Sequence, residues 1–542
     1  MYLSFALFSA VSLCAQVSSP DAAMASIRPE AIRADMRFLA DDLLEGRGTA
    51  TRGFDIAAKF MATQFESMGL QPAGDDGTYL QNVPLRLVKP DGTRSSLTWV
   101  HGTQETSLVF GKDYISGVDP VRPDRSIEAP VVFVGYGVTA PEQGYDDYKG
   151  VDAKGKIVAL IFGAPDFPSS IRAYYTSPAV KTRTAVAHGA VGVIVLNDPN
   201  FEQMYPFSKR VRDLIVPEFR WLDKQGLPNP YFPELKGVAF LSMDATRHLF
   251  DGSSHTAEEV FAAAKAGKLS PFALPITARI RNVTQSHDTH SSNVVARLEG
   301  SDTSLNEVLV YSAHLDHLGI GEPVEGDNIY NGALDNASGS ATILEVARAF
   351  SRMETKPRRS ILFVAFTGEE AGLIGSDYFA HNPTVAKGSI VADLNVDQVP
   401  MFWPVQDIVA FGAEHSSLDA VVRRAAEHMH LAVTPDPMPE EVAFIRSDQY
   451  SFVQQGIPAV MPSPGIKSSD PKLKPMDIFM NWLATRQHQP NDDMQQPGLD
   501  FEAAATFARY VFLCGSMIAD DSPKPGWNKG DFFAQHFARS AE

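Results

Sequence analysis

The stretch RSILFVAFTGEEAGLIGS, residues 359–376, joins an apolar run directly to two adjacent carboxylates. Residues 360–366 are apolar almost without interruption, as expected of a strand buried on both faces. Glu369 and Glu370 then stand side by side between Gly368 and Gly372. Neighbouring like charges repel, and a solvated turn is served as well by one of them or by neither. The pair is therefore either an ordinary strand exit or two groups with different tasks.

Outward from this stretch, strands and helices alternate. NVVARLEG (293–300), EVLVYSAHLD (307–316) and SIVADLNVD (389–397) read as strands, and ASGSATILEVARAFSRM (337–353) and SLDAVVRRAAEHM (417–429) as helices. This order predicts an α/β domain with a mixed, largely parallel central sheet flanked by helices. Upstream, 27–70 reads as two helices about a polar turn, and 80–125 as short strands between Gly and Pro turns. From EAPVVFVGYG (128–137) a separate strand-rich module begins, and it closes near PITARIRNV (275–283). Its paired acids in GYDDYKG (144–150) read as a turn. The polar segment TQSHDTHSS (284–292) reads as a linker. The expected division is thus a leader at 1–19, an N-terminal part of the main domain at 20–127, an inserted β-rich module at 128–283 and the main domain at 284–542.

A chain of 542 residues is long enough for two or three domains, each with its own core. The formal charge of −18 argues against nucleic acid and anionic membrane as partners. LSFALFSAVSLCA (3–15) has the length of a signal-peptide core and is too short for a membrane span, so a secreted or periplasmic location is expected, with no stable span after processing. No Lys or Arg precedes Arg28, and Leu13 suits a lipidated Cys14 poorly. Cys14 and Cys514 are the only cysteines, so any metal must be held by His, Asp and Glu.

Those residue types collect at strand ends. LVYSAHLDH (309–317) carries His314 and Asp316, YNGALDNASG (330–339) places Asp335 ahead of a helix, and Glu369, Glu370 and Asp397 end two further strands. In open α/β sheets the carboxyl ends of strands converge on one crevice, so these segments can meet. A polar loop, TRQHQPNDD (485–493), adds His488. Taken singly, each has an ordinary reading. Asp397 fits a solvated loop, Asp335 a helix cap, and His488 a surface histidine, with His415, His428 and His430 as alternatives. Taken together, they form a set of imidazoles and carboxylates suited to Zn²⁺ or another first-row ion. The set exceeds the need of one catalytic ion. Two ions sharing a carboxylate would use it fully, and a free glutamate beside a ligand glutamate could then act as base.

AHLDH, NGALDNASG, FTGEEAGLIGS, NVDQ and RQHQPNDD, in that order, resemble the zinc-dependent exopeptidases of family M28, which includes aminopeptidases, glutamate carboxypeptidases and glutaminyl cyclases. The module at 128–283 resembles the protease-associated (PA) domain that some members carry as an insertion. The resemblance implies the zinc-exopeptidase fold, two Zn²⁺ per chain and a peptide substrate. Carried over by motif, it implies His314 and Asp397 on one zinc, Glu370 and His488 on the other, and Asp335 bridging them. Glu369 would be the general base, acting on a metal-bridging hydroxide. Asp316 would accept a hydrogen bond from His314 and fix its tautomer. Arg446, Asp448 and Tyr450 are candidates for substrate contact, and His317 reads as structural or pocket-lining, not as a ligand. The implied activity is an exported aminopeptidase. The alternatives are a carboxypeptidase or dipeptidase on the same core, a single-zinc glutaminyl cyclase, and a non-catalytic receptor-like scaffold. The sequence leaves the oligomeric state open.

Overall fold

A computed structural model describes residues 19–214 and 218–537. Apart from Ser19, the expected leader at 1–19 lies outside the described residues. After a short helix at Pro20–Ala25, two longer helices lead in, α1 (Pro29–Leu39) and α2 (Arg52–Ser67). Strand β1 (Leu80–Pro90) passes to the strand-rich module. There β2 (Asp124–Phe133), β3 (Ile157–Ile161), β4 (Gly192–Leu196) and β5 (Gly237–Leu241) lie side by side, all parallel. The chain returns through β6 (Phe272–Leu298) and then builds β7 (Val308–His314), α3 (Ser338–Ser351), β8 (Ser360–Phe366), β9 (Ile390–Asn395), β10 (Asp407–Phe411), β11 (Ala459–Pro464) and α4 (Phe501–Asp520).

The central sheet runs β1-β6-β8-β7-β9-β11-β10. The four strands from β8 to β11 in that order are parallel, with antiparallel neighbours on both sides. The mixed, largely parallel sheet expected from the alternation is thus present. Ile361 to Phe366 are all fully buried, which explains the unbroken apolar run. One face of β8 packs with α1, α3 and α4, and the other with Phe379 and Phe452.

The linker expected at 284–292 is not a linker. These residues are the middle of β6, a single strand of 27 residues shared by both sheets, and they pair in register with β1 from Thr284↔Pro90 to Val294↔Leu80. The expected boundary at 283/284 therefore falls inside a strand. The polar composition misleads because this ribbon crosses between two cores with much of its surface in water. Strand pairing needs only backbone groups, and the opposed residues Arg86 and Asp288 add a two-pronged ion pair at 2.6 and 2.9 Å. In the module, Asp147 is buried and accepts the N–H groups of Tyr136 and Val138, so the GYDDYKG acids shape a turn.

The sheet is fixed to α4 through Tyr311, whose hydroxyl donates to the Val511 carbonyl at 3.0 Å. Gly515 leaves room for that ring, since a Cβ there would lie 1.6 Å from the hydroxyl oxygen. Gly515→Ala should cost about 1–3 kcal/mol of stability by overpacking, read as a lower midpoint of urea unfolding. An unchanged midpoint would show that this contact is not rigid.

Candidate metal centre

Strand register brings the distant motifs together. Ser312 lies opposite Asn395 and His314 opposite Phe366, so His314 ends its strand level with Asp397 on one side and just before the Glu369–Glu370 turn on the other. Asp335 precedes α3 in a turn whose backbone is held by Asp492. That buried carboxylate accepts the N–H groups of Leu334 at 3.0 Å and Asp335 at 3.1 Å. His488 arrives on the loop after the helix Pro475–Thr485.

The five side chains form two groups that share one carboxylate. Asp335 Oδ1 lies 3.3 Å from His314 Nε2, and Asp335 Oδ2 lies 3.2 Å from His488 Nε2. His314 Nε2 also lies 3.1 Å from Asp397 Oδ1, and His488 Nε2 lies 3.2 Å from Glu370 Oε2. His314, Asp335 and Glu370 each present a ligand atom, all within 4.8 Å of one another. The donors are imidazole nitrogen and carboxylate oxygen, a set that suits zinc. Among the described residues the one thiol, Cys514, is buried in the α4 core.

The electrostatics fit the same use. Against the cost of burial, hydrogen bonds from His314 and His488 hold the Asp335 carboxyl well below its usual range. Burial also opposes a charge on His488, but Glu370 and Asp335 raise its imidazole to about 9. Burial pushes Glu369 well above the usual carboxyl range. His314 opposes the rise, and Glu370, Asp397 and Asp448 add to it. So many acids in one interior region need cations to offset them.

Asp316 acts differently from the expectation. His314 Nδ1 faces the backbone carbonyl of Asp316 at 3.1 Å, and the carboxylate is 3.9 Å away. The Nδ1–H donates to that carbonyl, so Nε2, which donates to the carboxylates while protonated, is the nitrogen that would offer its lone pair to a metal. The Asp316 carboxylate instead accepts the Glu369 N–H at 3.1 Å and the Thr49 hydroxyl at 3.0 Å. It thereby anchors the backbone of the proposed base.

The other candidates are dispersed. Asp448 is fully buried, with neither carboxylate oxygen hydrogen-bonded, and it feels the charges of His314, Asp397 and Asp316. Arg446 is exposed and pairs with Glu441 at 3.1 Å. The Tyr450 ring is buried in an aromatic core among Phe444, Phe533 and Phe537. His317 is buried, its Nδ1 is 2.6 Å from Glu370 Oε1, and its ring lies beside that of His488. His428 pairs with Asp21, and His415 with Asp531 and Ser170. Sequence reading missed Asp492, Thr49 and Gln398, whose Nε2 donates to Asp335 Oδ2 at 2.9 Å. Only the position of Asp492 in the quoted NDD and of Gln398 in NVDQ hinted at them.

Residues 293–513 match Peptidase family M28, and residues 127–215 match the PA domain. Residues 293–513 are thus an M28-type peptidase region, and residues 127–215 a PA-type region. It is 37% identical over 134 residues to leupeptin-inactivating enzyme 1 of Streptomyces exfoliatus, covering 24% of this chain and 27% of that one. It is 27% identical over 385 residues to a probable glutamate carboxypeptidase of Arthroderma benhamiae, covering 60% and 47%. The matches span about a quarter of the length of the first curated relatives. In fold, the chain resembles an aminopeptidase from Aneurinibacillus sp. strain AM-1, with a TM-score of 0.52, 20% identity, and coverage of 93% and 97%.

A cation that takes the His488 lone pair must displace the proton that Glu370 and Asp335 hold there up to about pH 9. Affinity for zinc should therefore rise with pH between about 6 and 8, and binding should release protons. Calorimetric titration in two buffers of different ionisation enthalpy reads both. A pH-independent affinity without proton release would remove His488 from the binding set.

Proposed function

We propose that this chain is a dinuclear zinc aminopeptidase, exported by its leader, that removes N-terminal residues from peptides. One observation carries the reading: Asp335 turns one oxygen to each of two histidines, and each histidine has a second carboxylate beside it. His314, Asp335 and Asp397 would hold one zinc, and His488, Asp335 and Glu370 the other. Bound zinc supplies a Lewis acid for the scissile carbonyl and lowers the pKa of water.

The protein's own groups move the proton. Glu369 has its backbone N–H fixed by Asp316, while Glu370 turns its oxygens to His488 and His317. One glutamate of the pair is thus committed to the ligand set, and the other is left to accept the water proton and pass it to the leaving amine nitrogen. The surplus of carboxylates, Asp448 among them, favours a substrate that brings a positive charge, which a free N-terminus does.

A carboxypeptidase or dipeptidase is the second reading. It is favoured by Lys209, a cation of the PA domain close enough to His488 to oppose its protonation. Aminoacyl anilides assayed against C-terminal glutamyl peptides separate the two. Cleavage of the glutamyl peptides alone would overturn the aminopeptidase reading.

Glu369→Gln should keep both metals and lose turnover by about 10²–10⁴-fold, while Glu370→Gln should lose one metal equivalent. Elemental analysis beside steady-state kinetics checks both. Loss of metal from the first variant, or full metal and full turnover in either, would reverse the assignment.

A further inference from the structure

Arg47 lies beneath this centre, on the lead-in segment before α2, and is 1% exposed. Its guanidinium makes no hydrogen bond to a carboxylate. Nε donates to the Leu315 carbonyl at 2.9 Å, Nη1 to those of Leu39 and Asn331, and Nη2 to that of Gly332 at 3.0 Å. Its own carbonyl accepts the His317 N–H at 3.2 Å. Leu315 separates His314 from Asp316, and Asn331 and Gly332 open the turn that ends in Asp335. These are irregular stretches, so the arginine supplies ties that strand pairing does not.

The backbone is arranged to deliver this side chain. Glu45, Gly46 and Arg47 are three successive left-handed residues, with φ of 51°, 67° and 50°. Their turn is threaded so closely under the hairpin of strands Gly319–Val324 and Asp327–Tyr330 that a Cβ on Gly46 would lie 2.5 Å from the Tyr330 carbonyl oxygen and 2.6 Å from that of Gly319. Two non-glycine residues in this region are costly, and such conformations persist where the surroundings and a function demand them. A buried guanidinium also needs negative charge nearby. Asp316, Asp492, Asp335 and Glu370 provide it through space. Because no carboxylate is hydrogen-bonded to the cation, Arg47 takes up none of the ligand oxygens.

We propose that Arg47 is a positioning residue for the metal centre. It clamps the 315–317 and 331–335 stretches at the spacing that lets His314 and Asp335 share an ion, and it sets a permanent positive charge under the acids without occupying them. The inference rests on the metal-site reading above, and the experiment separates the two. Wild-type holoenzyme without bound zinc would sink the site reading itself. With zinc present, Arg47→Lys, which keeps the charge and loses the planar fork, and Arg47→Gln, which loses both, are compared by competition with a chromophoric chelator and by the visible spectrum of the cobalt-substituted protein. Arg359→Lys is the comparator, since Arg359 is equally buried but clamps the carbonyls of Ile518 and Asp521 at the far end of β8.

Both Arg47 variants should bind zinc at least tenfold more weakly and shift the cobalt spectrum, and Gln should be the worse. Arg359→Lys should lower stability alone. Wild-type affinity and spectrum in Arg47→Lys would overturn the proposal. So would failure of both Arg47 variants to fold, which would assign the residue to the fold alone.

Discussion

Asp335 is a carboxylate buried to 2% exposure with a histidine nitrogen against each of its oxygens, and the architecture around it follows from keeping it there. An interior carboxylate is costly unless it is paired on every side. Here the pairing comes from two directions. The backbone of its turn is held by Asp492, and its oxygens are addressed by His314 from a strand end and His488 from a remote loop. Neighbouring strands lie about 4.8 Å apart, so parallel strands in register can deliver His314, Glu370 and Asp397 to one spot. A helix-only fold has no such fixed spacing to offer.

The same constraint explains the adjacent glutamates. Gly368 is left-handed at φ 69°, which takes the chain sharply away from β8 just before the pair. Glu369 is tied at its N–H to Asp316, and Glu370 reaches toward His488 and His317. The pair is tolerable at this place because burial pushes Glu369 toward its neutral form while His488 and His317 face Glu370, and would be more so with dications nearby. The pair that looks wasteful as a strand exit is therefore two groups in different fields.

What was legible in the sequence was whatever depends on short windows. SILFVAF reads as a doubly covered strand because both of its faces are apolar, and the alternation of elements gives the parallel sheet. The ligand motifs are legible as a set, since each sits at the end of a recognisable strand or before a helix. The failures share a cause. Residues 284–292 pair with β1, some 200 residues earlier in the chain, and nothing in their own composition records a partner. Thr49 and Asp492 reach the site from opposite ends of the chain through hydrogen bonds to Asp316 and to the turn of Asp335. The local rule also misled at Asp316. Two residues after a ligand histidine, its carboxylate was the obvious partner, yet its backbone carbonyl takes that place and frees the carboxylate to anchor Glu369.

The shared strand also bears on how the inserted module is held against the sheet that carries the metal centre. β6 belongs to both sheets without a break, so the module has no flexible joint at residue 284. It is tied a second time where Trp221 Nε1 donates to Asp377 at 2.6 Å, on the helix that follows the Glu369–Glu370 turn. A third tie joins Tyr174 to Phe532 and Phe537 near the chain's C-terminal end. Three separated attachments restrict rotation far more than one hinge would. A module held in this way meets the metal centre as a fixed neighbour, with Lys209 near enough to His488 to oppose its protonation.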